Sequence, residues 1–572
     1  MNTMNDTVRL DRAFRVTAIA QLREGVDVLV VGGGVTGNGV ALDAALRGLK
    51  VGLVEQRDFA SGTSSRSSKL VHGGLRYLEQ FNFGLVREAL RERSLLLDRL
   101  APHLVEPLPF LYPLSHRVWE RPYVGAGLTL YDTLGGLQPS VPRHSHLSKS
   151  ASLKAFPDLK PDSLAGSIRY HDAQVDDARH TLELARTAAA HGAAVTASTR
   201  VVEFTANDQR ITGAIVHDAL TNETFHVPAQ VVVNATGIWA GVTEELAGVE
   251  EPIRMRPSKG VHIVIPRDRI NGSLALITRT PTSVLFVLPW GRSWIIGTTD
   301  TLWHEGLSHP VATHADLTYL LDMANASLSS HLTEDDVIGV YAGLRPLVDS
   351  EGLSESEISR EHTIRRPIPG LVTIAGGKYT TYRVMAEDTV NTLSDDLGEL
   401  AASTSNEVPL IGAAEPSDVF ASVRDHVGAR NIDDAHLDRL SHRYGRLTIE
   451  LLDAIAINPE LAAEMPGGAG TLAVEIVHAA THEGALHVDD VLTRRTRLYL
   501  EAGDRGLVAA RHASRLMGEV LGWDDATRSA EVSRYQRRVA AELEAQSAPD
   551  DATAAHIRER VQDIRLTQPN DG

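Results

Sequence analysis

Residues 26–55 read VDVLVVGGGVTGNGVALDAALRGLKVGLVE. Val26–Val31 is a short, β-branched apolar run of the kind that forms a buried parallel strand. The next six residues, GGGVTG, put Gly32, Gly34 and Gly37 in G-x-G-x-x-G spacing. Such spacing gives a tight turn, close backbone approach to a pyrophosphate, and close packing of the helix that follows. NGVALDAALRGL reads as that helix, with small residues on one side, and KVGLVE as a second strand ending in Glu55. An acid about 20 positions beyond the glycines accepts hydrogen bonds from a ribose hydroxyl. Strand, turn, helix, strand and acid in this order predict a dinucleotide site, with Gly32, Gly34, Gly37 and Glu55 as its first binding residues.

Two later segments choose between dinucleotides. VVVNATGIWA (Val231–Ala240) looks like a further strand running into a small-residue turn that contains Ala235 and Gly237. LVTIAGGKYTTYRVMAED (Leu371–Asp388) repeats the order of strand, glycine turn and helix, with Gly376, Gly377 and Lys378 in the turn and a helix opening near Thr380. Turns this far apart suit an extended ligand held at both ends, as FAD is, better than a nicotinamide cofactor that comes and goes. A helix opening near Thr380 would also aim its positive end at the flavin.

The chain has 572 residues, which suggests two to four units, and 43% of them are apolar, as in a globular protein. A formal charge of −18, with no basic block, argues against nucleic acid as a partner. Cysteine is absent, which excludes disulfides, thiol nucleophiles and cysteine-ligated metals. No stretch has the apolar length of a signal peptide core or a membrane span, so a cytoplasmic address with at most peripheral membrane contact is expected.

The segments VGGGVTGNGVALDAALRG, GTSSRSSKLVHGGLRYLE (Gly62–Glu79), NATGIW, SKGVHIVIP (Ser258–Pro266), WIIGTTD, YAGLRPL and GGKYTTYRVMA occur in a fixed order. Together they resemble the FAD-dependent glycerol-3-phosphate dehydrogenases of the amino-acid-oxidase-like flavoproteins. One departure is Asn38, where that family usually has a smaller residue. The resemblance implies an α+β fold: a Rossmann-like FAD-binding domain, an antiparallel-sheet substrate domain and a C-terminal helical domain. It implies oxidation of sn-glycerol 3-phosphate at C2 to dihydroxyacetone phosphate, with electrons passing to FAD and on to a membrane quinone. A peripheral membrane location and a homodimer are also expected.

Arg345, in YAGLRPL, is by resemblance the main phosphate ligand, since a guanidinium is a planar, permanently charged fork. Arg76 is implied in the same pocket. Gly73 and Gly74 would let the backbone approach the flavin, while Ser67, Ser68, Lys69 and His72 flank it. His262 interrupts the apolar alternation of KGVHIVIP and is a candidate to take the C2 hydroxyl proton, with Lys378 or a water as alternatives. Lys378 would touch the flavin edge, the phosphate, or both, beside Gly377 and Thr380. Thr298, Thr299 and Asp300 are placed near the site by resemblance alone.

The domain reading assigns 19–100, 166–250 and 341–403 to the FAD-binding domain, 101–165 to a cap with possible membrane contact, 251–340 to the substrate domain and 404–572 to the helical domain. SHRVWERPYVGAGLTLYDTLGG, from Ser115, mixes Arg117 and Arg121 with Trp119, Tyr123, Leu128, Leu130 and Tyr131, the make-up of an interfacial anchor. The last residues, from Ser547, are polar and expected to be partly disordered. HAATH (His478–His482) and the pair His144 and His146 lack the H-E-x-x-H arrangement, and no metal is expected. Three rivals stand beside the dehydrogenase reading: a glycerol-3-phosphate oxidase using O2, a flavin amino-acid oxidase, and a flavin-binding protein without turnover.

Overall fold

The computed structural model describes residues 8–116, 118–136, 140–280, 284–349, 361–468, 470–561 and 563, the side chain of Arg76 excepted. Val26–Val31 is the middle of a sheet in the order His362–Ile368, Leu371–Gly376, Glu223–Asn234, Val26–Val31, Val51–Val54, Ala194–Thr196. All neighbours are parallel except the outermost pair, Leu371–Gly376 with His362–Ile368. Val28, Leu29 and Val30 are fully buried, because both faces of the sheet are covered. On one face lie the helices Val35–Leu46, Asp177–Ala190 and Tyr382–Thr392; on the other lie the helix Arg12–Glu24 and the ribbon of Thr199–Asn207 and Arg210–Asp218. A Cβ on Gly39 would stand 3.1 Å from Tyr382 and 3.2 Å from Ala386, so the small residues of the first helix are what let the third one close on it.

A second, mainly antiparallel sheet carries the other wall. Its order is Thr301–Leu302, Ser258–Pro266, Ser293–Gly297, Val284–Trp290, Ala275–Arg279, Val105–Leu114, Gly166–Val175, Leu70–Val71, with Gly339–Arg345 also paired to Ser258–Pro266. Gly166–Val175, read above with the FAD-binding segment, pairs along its whole length with Val105–Leu114 and so belongs to this sheet. Gly339–Arg345 likewise carries Arg345 on the second sheet. Strand propensity gives no information about which of two sheets a strand joins.

Beyond Glu415 the chain is helical around its own core, which includes Leu440, Leu451, Ile476, Leu492, Ala510 and Met517. Buried ion pairs fasten it to the rest: Asp58, just past the second strand, meets Arg494 at 2.5 Å and Arg495 at 2.7 Å, and Asp176 meets Arg443 at 2.7 Å. Asp551–Glu559 forms a helix within the tail expected to be partly disordered; residues 562 and 564–572 lie outside the described ones. In the proposed anchor segment, Glu120–Leu134 is a helix whose Leu128 and Tyr131 are core residues, and Arg121 donates to the Leu147 carbonyl. The face of that helix bearing Leu128 and Tyr131 cannot contact lipid, because helical periodicity turns it inward, whereas Leu130 is exposed. Val118, Trp119 and Tyr123 remain exposed, and Arg117 lies outside the described residues. Among the described residues no helix is long and apolar enough to cross a membrane.

Burial holds the pKa of His103 and of His180 down at about 3. Both are neutral in the folded chain, whereas in the unfolded chain each protonates near 6.5. Their contribution is therefore complete above pH 6.5 and lost as pH falls, by about 2 kcal/mol for each at pH 5. Thermal unfolding at pH 5 is expected about 3 °C or more below that at pH 7, and His103→Gln is expected to shrink the difference.

Candidate active site

A cavity of about 560 Å3 lies between the ends of the parallel strands and the face of the second sheet. Its floor is the glycine turn. A Cβ on Gly37 would stand 1.9 Å from the Gly32 carbonyl oxygen, and one on Gly32 2.7 Å from the Ala235 oxygen. The helix start and two strand ends thus meet where no side chain fits. Glu55 closes the turn: its carboxylate accepts from the Gly33 N–H at 2.7 Å and the Arg57 N–H at 2.8 Å. Burial raises its pKa. The oxygens keep lone pairs for a ribose hydroxyl, and Glu55 lines the cavity. Asn38 braces the same turn, its amide donating to the carbonyls of Gly33 (2.9 Å) and Gly34 (3.1 Å). Its extra bulk is therefore used inside the turn.

The Ser67–Glu79 stretch runs along the boundary between the two sheets. Ser67 donates from its N–H and hydroxyl to Asp177 at 3.0 and 2.7 Å, and Ser68 shares a 2.8 Å hydrogen bond with His262 Nε2. Lys69, expected to flank the cofactor, is buried behind the cavity in a 2.5 Å ion pair with Asp177. Its charge is spent on fold, because a lysine this deep needs a carboxylate beside it. The His72 N–H donates to Thr380 Oγ at 3.2 Å, and Thr380 returns a hydrogen bond to the His72 carbonyl at 3.3 Å. This clamp joins the stretch to the second glycine turn. Gly73 and Gly74 do not line the cavity: Gly73 packs under Leu90 and Tyr131, and Gly74 under Tyr77. Arg76 opens the short helix Arg76–Glu79, and its side chain lies outside the described residues.

The opposite wall is built on strand register. His262 stands opposite Gly297 on one neighbouring strand and Tyr341 on the other; its ring stacks on Tyr341 at 4.7 Å. A Cβ on Gly297 would fall 2.1 Å from the imidazole, so that glycine makes the place for the ring. Gly260 does the same for Arg345, whose guanidinium would be 2.9 Å from a Cβ there. Arg345 is held by Asp300 at 2.9 Å, the Thr299 carbonyl at 3.0 Å and Thr298 at 3.2 Å. Thr298, Thr299 and Asp300 are thus the cradle of Arg345. Lys378, half-buried, sets its ammonium 3.6 Å from the centre of the Tyr77 ring.

Of the sequence-expected residues, the cavity lining unites Gly32, Gly34, Glu55, Ser67, Ser68, His72, Ala235, Gly237, His262, Arg345, Gly377, Lys378 and Thr380. Gly37, Lys69, Gly73 and Gly74 support it from behind. Sequence reasoning missed Ser64, which accepts from the Val35 N–H at 2.9 Å, and Asp177, the anchor of Lys69. Ser64 lies in the quoted serine-rich run and was findable there; Asp177 carries no local signal.

A glycine turn at the end of parallel strands, facing an antiparallel sheet with a histidine and cations, defines the FAD-dependent oxidoreductases as a class. The model of that name, "FAD dependent oxidoreductase", matches residues 27–383, and "C-terminal domain of alpha-glycerophosphate oxidase" matches 403–528. Glycerol-3-phosphate dehydrogenase 2 of Mycobacterium tuberculosis is 50% identical over 548 residues, covering 95% of this chain and 93% of its own. The human mitochondrial glycerol-3-phosphate dehydrogenase is 36% identical over 526 residues, covering 87% and 71%. The glycerol-3-phosphate dehydrogenase of Bacillus halodurans, solved with FAD, superposes with a TM-score of 0.76 at 30% identity, covering 94% and 98%. The chain belongs to the FAD-dependent glycerol-3-phosphate dehydrogenase family.

FAD fits the residues present, since the cradle of Gly32, Gly37 and Ala235 admits a phosphate backbone and no Cβ. Gly37→Ala is expected to purify without the yellow flavin absorbance and to bind added FAD at least about tenfold more weakly, read by fluorescence quenching. Retained flavin at wild-type stoichiometry would show that the turn tolerates a side chain.

Proposed function

We propose that this protein oxidises sn-glycerol 3-phosphate at C2 to dihydroxyacetone phosphate and delivers the electrons to a membrane quinone. The observation that supports this best is that His262 and Arg345, on adjacent strands, both line the cavity that the glycine turn closes from the other side. FAD, when bound, supplies the acceptor for the hydride that leaves C2. Arg345 takes the substrate phosphate, preoriented by Asp300 and the Thr298–Thr299 pair. Lys378 adds charge near the same anion, and Arg76 is assigned there from the family resemblance.

His262 accepts the hydroxyl proton. Burial, with the charges of Arg345 and Lys69, holds its pKa well below 6.5. The imidazole therefore enters each turnover neutral, and the proton reaches Nε2 through the Ser68 hydroxyl or in its place, because Nδ1 is buried. The sheet around it, including Val261, Ile263 and Tyr341, excludes water from its back.

His262→Asn is expected to lower kcat by about 100-fold while KM changes little, because a proton acceptor acts in the transition state. In the wild type the acid limb of the kcat/KM profile that belongs to His262 should lie well below pH 6.5. Wild-type kcat in the variant would remove His262 from the mechanism. The test of the activity itself is anaerobic addition of sn-glycerol 3-phosphate: bleaching of the flavin band by this compound and not by glycerol or an amino acid supports the assignment, and an unbleached band rejects it. The tail's match to an oxidase domain favours one second reading, electron delivery to O2. Stoichiometric peroxide in air would select it.

A route to quinone needs membrane contact. Val118, Trp119 and Tyr123 lie exposed on one segment, and Phe81 and Phe83 on another. The Tyr123 hydroxyl reaches Glu79 at 3.5 Å, which brings the two apolar tips together. Phe81→Asp with Trp119→Asp is expected to lower co-sedimentation with lipid vesicles at least about fivefold, each buried aromatic contributing a few kcal/mol. Soluble turnover with an artificial acceptor should persist. Unchanged sedimentation would place the contact elsewhere.

A further inference from the structure

Away from the flavin cavity, the helices Thr448–Ile457 and Ala473–His482 bring Glu450, His478 and His482 together, with one ligand atom of each lying within 4.8 Å of the others. His478 and His482 share a helix face by their i, i+4 spacing, and their rings stack at 4.4 Å. Glu450 Oε2 lies 3.9 Å from His478 Nδ1 and 3.7 Å from His482 Nε2.

The surrounding hydrogen bonds settle which atoms face inward. With the Thr481 hydroxyl donating to the Val477 carbonyl at 2.8 Å, its oxygen accepts from His482 Nδ1 at 2.7 Å. His482 Nε2 is left as a lone pair directed at a carboxylate. His478, 3% exposed, has Nε2 3.4 Å from Glu483 Oε1, a charge contact without hydrogen-bond geometry that favours the proton on that side and leaves Nδ1 toward Glu450. Glu450 Oε2 is buried and accepts no hydrogen bond among the described residues. Three acceptors therefore converge with no donor between them, an arrangement that repels unless a cation or a donating water sits at its centre. Nearby, the carboxylates of Glu183, Glu450 and Glu483 outnumber the buried guanidiniums of Arg179 and Arg186, with Arg9 exposed at the edge. The His482 Nδ1–Thr481 bond is the kind of outer contact that orients a ligating imidazole.

We infer that Glu450, His478 and His482 form a binding site for a divalent transition metal, with zinc the ion that two imidazoles and a carboxylate favour. Three protein ligands and a water complete a tetrahedron. Ligand atoms of a tetrahedral site with bonds of about 2.1 Å stand about 3.4 Å apart, so the two distances from Glu450 to the histidines, 3.9 and 3.7 Å, close by about half an ångström or less. The three residues are absent from the flavin cavity lining, so the role is structural. The ion would tie the two helices at the point where Glu483 holds Arg179 of the FAD-binding part at 2.5 Å and the His482 carbonyl accepts from the Leu10 N–H at 3.0 Å. The metal would thus brace the junction of the N-terminal segment with both domains.

The full-length flavin-loaded protein, stripped by chelator and dialysed, is titrated with Zn2+ and separately with Co2+. Expected are one bound zinc per chain by elemental analysis, intense tetrahedral Co2+ bands in difference spectra beyond the flavin absorbance, and a raised melting temperature. His482→Gln and Glu450→Gln should each lose all three effects while keeping the flavin spectrum. No stoichiometric uptake would overturn the proposal and assign the gap to a bridging water. Undiminished uptake in both variants would overturn it too, by placing the ion elsewhere. Should the variants fail to fold, X-ray absorption on the zinc-loaded wild type decides: a shell with two imidazoles upholds the site, and one without them rejects it.

Discussion

The lack of space between the Gly32 carbonyl and Gly37 is the constraint on which this structure depends. A single added carbon there would sit 1.9 Å from a backbone oxygen, inside any contact distance. Because the gap closes, the first helix starts directly over the strand ends, and the Ala235 turn joins it at the same point. The turn thereby offers a surface made of backbone alone. A second exclusion works on the facing sheet, where Gly260 and Gly297 yield their side-chain volume to Arg345 and His262. Both walls of the site are shaped by missing carbons, and Arg345 and His262 project into the room so made.

Charge holds the walls together. Lys69 with Asp177, Asp58 with Arg494 and Arg495, and Asp176 with Arg443 are all buried, and each joins segments far apart in the chain. Such pairs add little net stability over apolar packing, but losing one partner costs about 3–5 kcal/mol, so they enforce one arrangement of the parts. Asp58 lies three residues beyond Glu55. The helical domain is therefore fastened to the same strand end that presents Glu55. Asp177 serves the cavity in the same way, fixing Ser67 directly and Lys69 behind it. The net charge of −18 conceals this interior, in which acids and bases are matched side by side.

The sequence by itself determined the parallel sheet, the glycine turns, FAD as the ligand and the helical character of the tail, because each rests on local rules: β-branched runs, glycine spacing, helical periodicity. It also marked His262 and Arg345, since a polar residue in an apolar strand and an arginine in a matched motif are visible without coordinates. Tertiary structure alone decided which cations face the cavity. Lys69 and Lys378 look alike in sequence, yet one is consumed by Asp177, 108 residues away, and the other remains at the cavity. Tertiary structure also moved Gly166–Val175 to the second sheet, turned Leu128 and Tyr131 inward, and set Glu450 against two histidines. Those outcomes depend on partners distant in the chain, and a distant partner leaves no trace in the spacing of its neighbours.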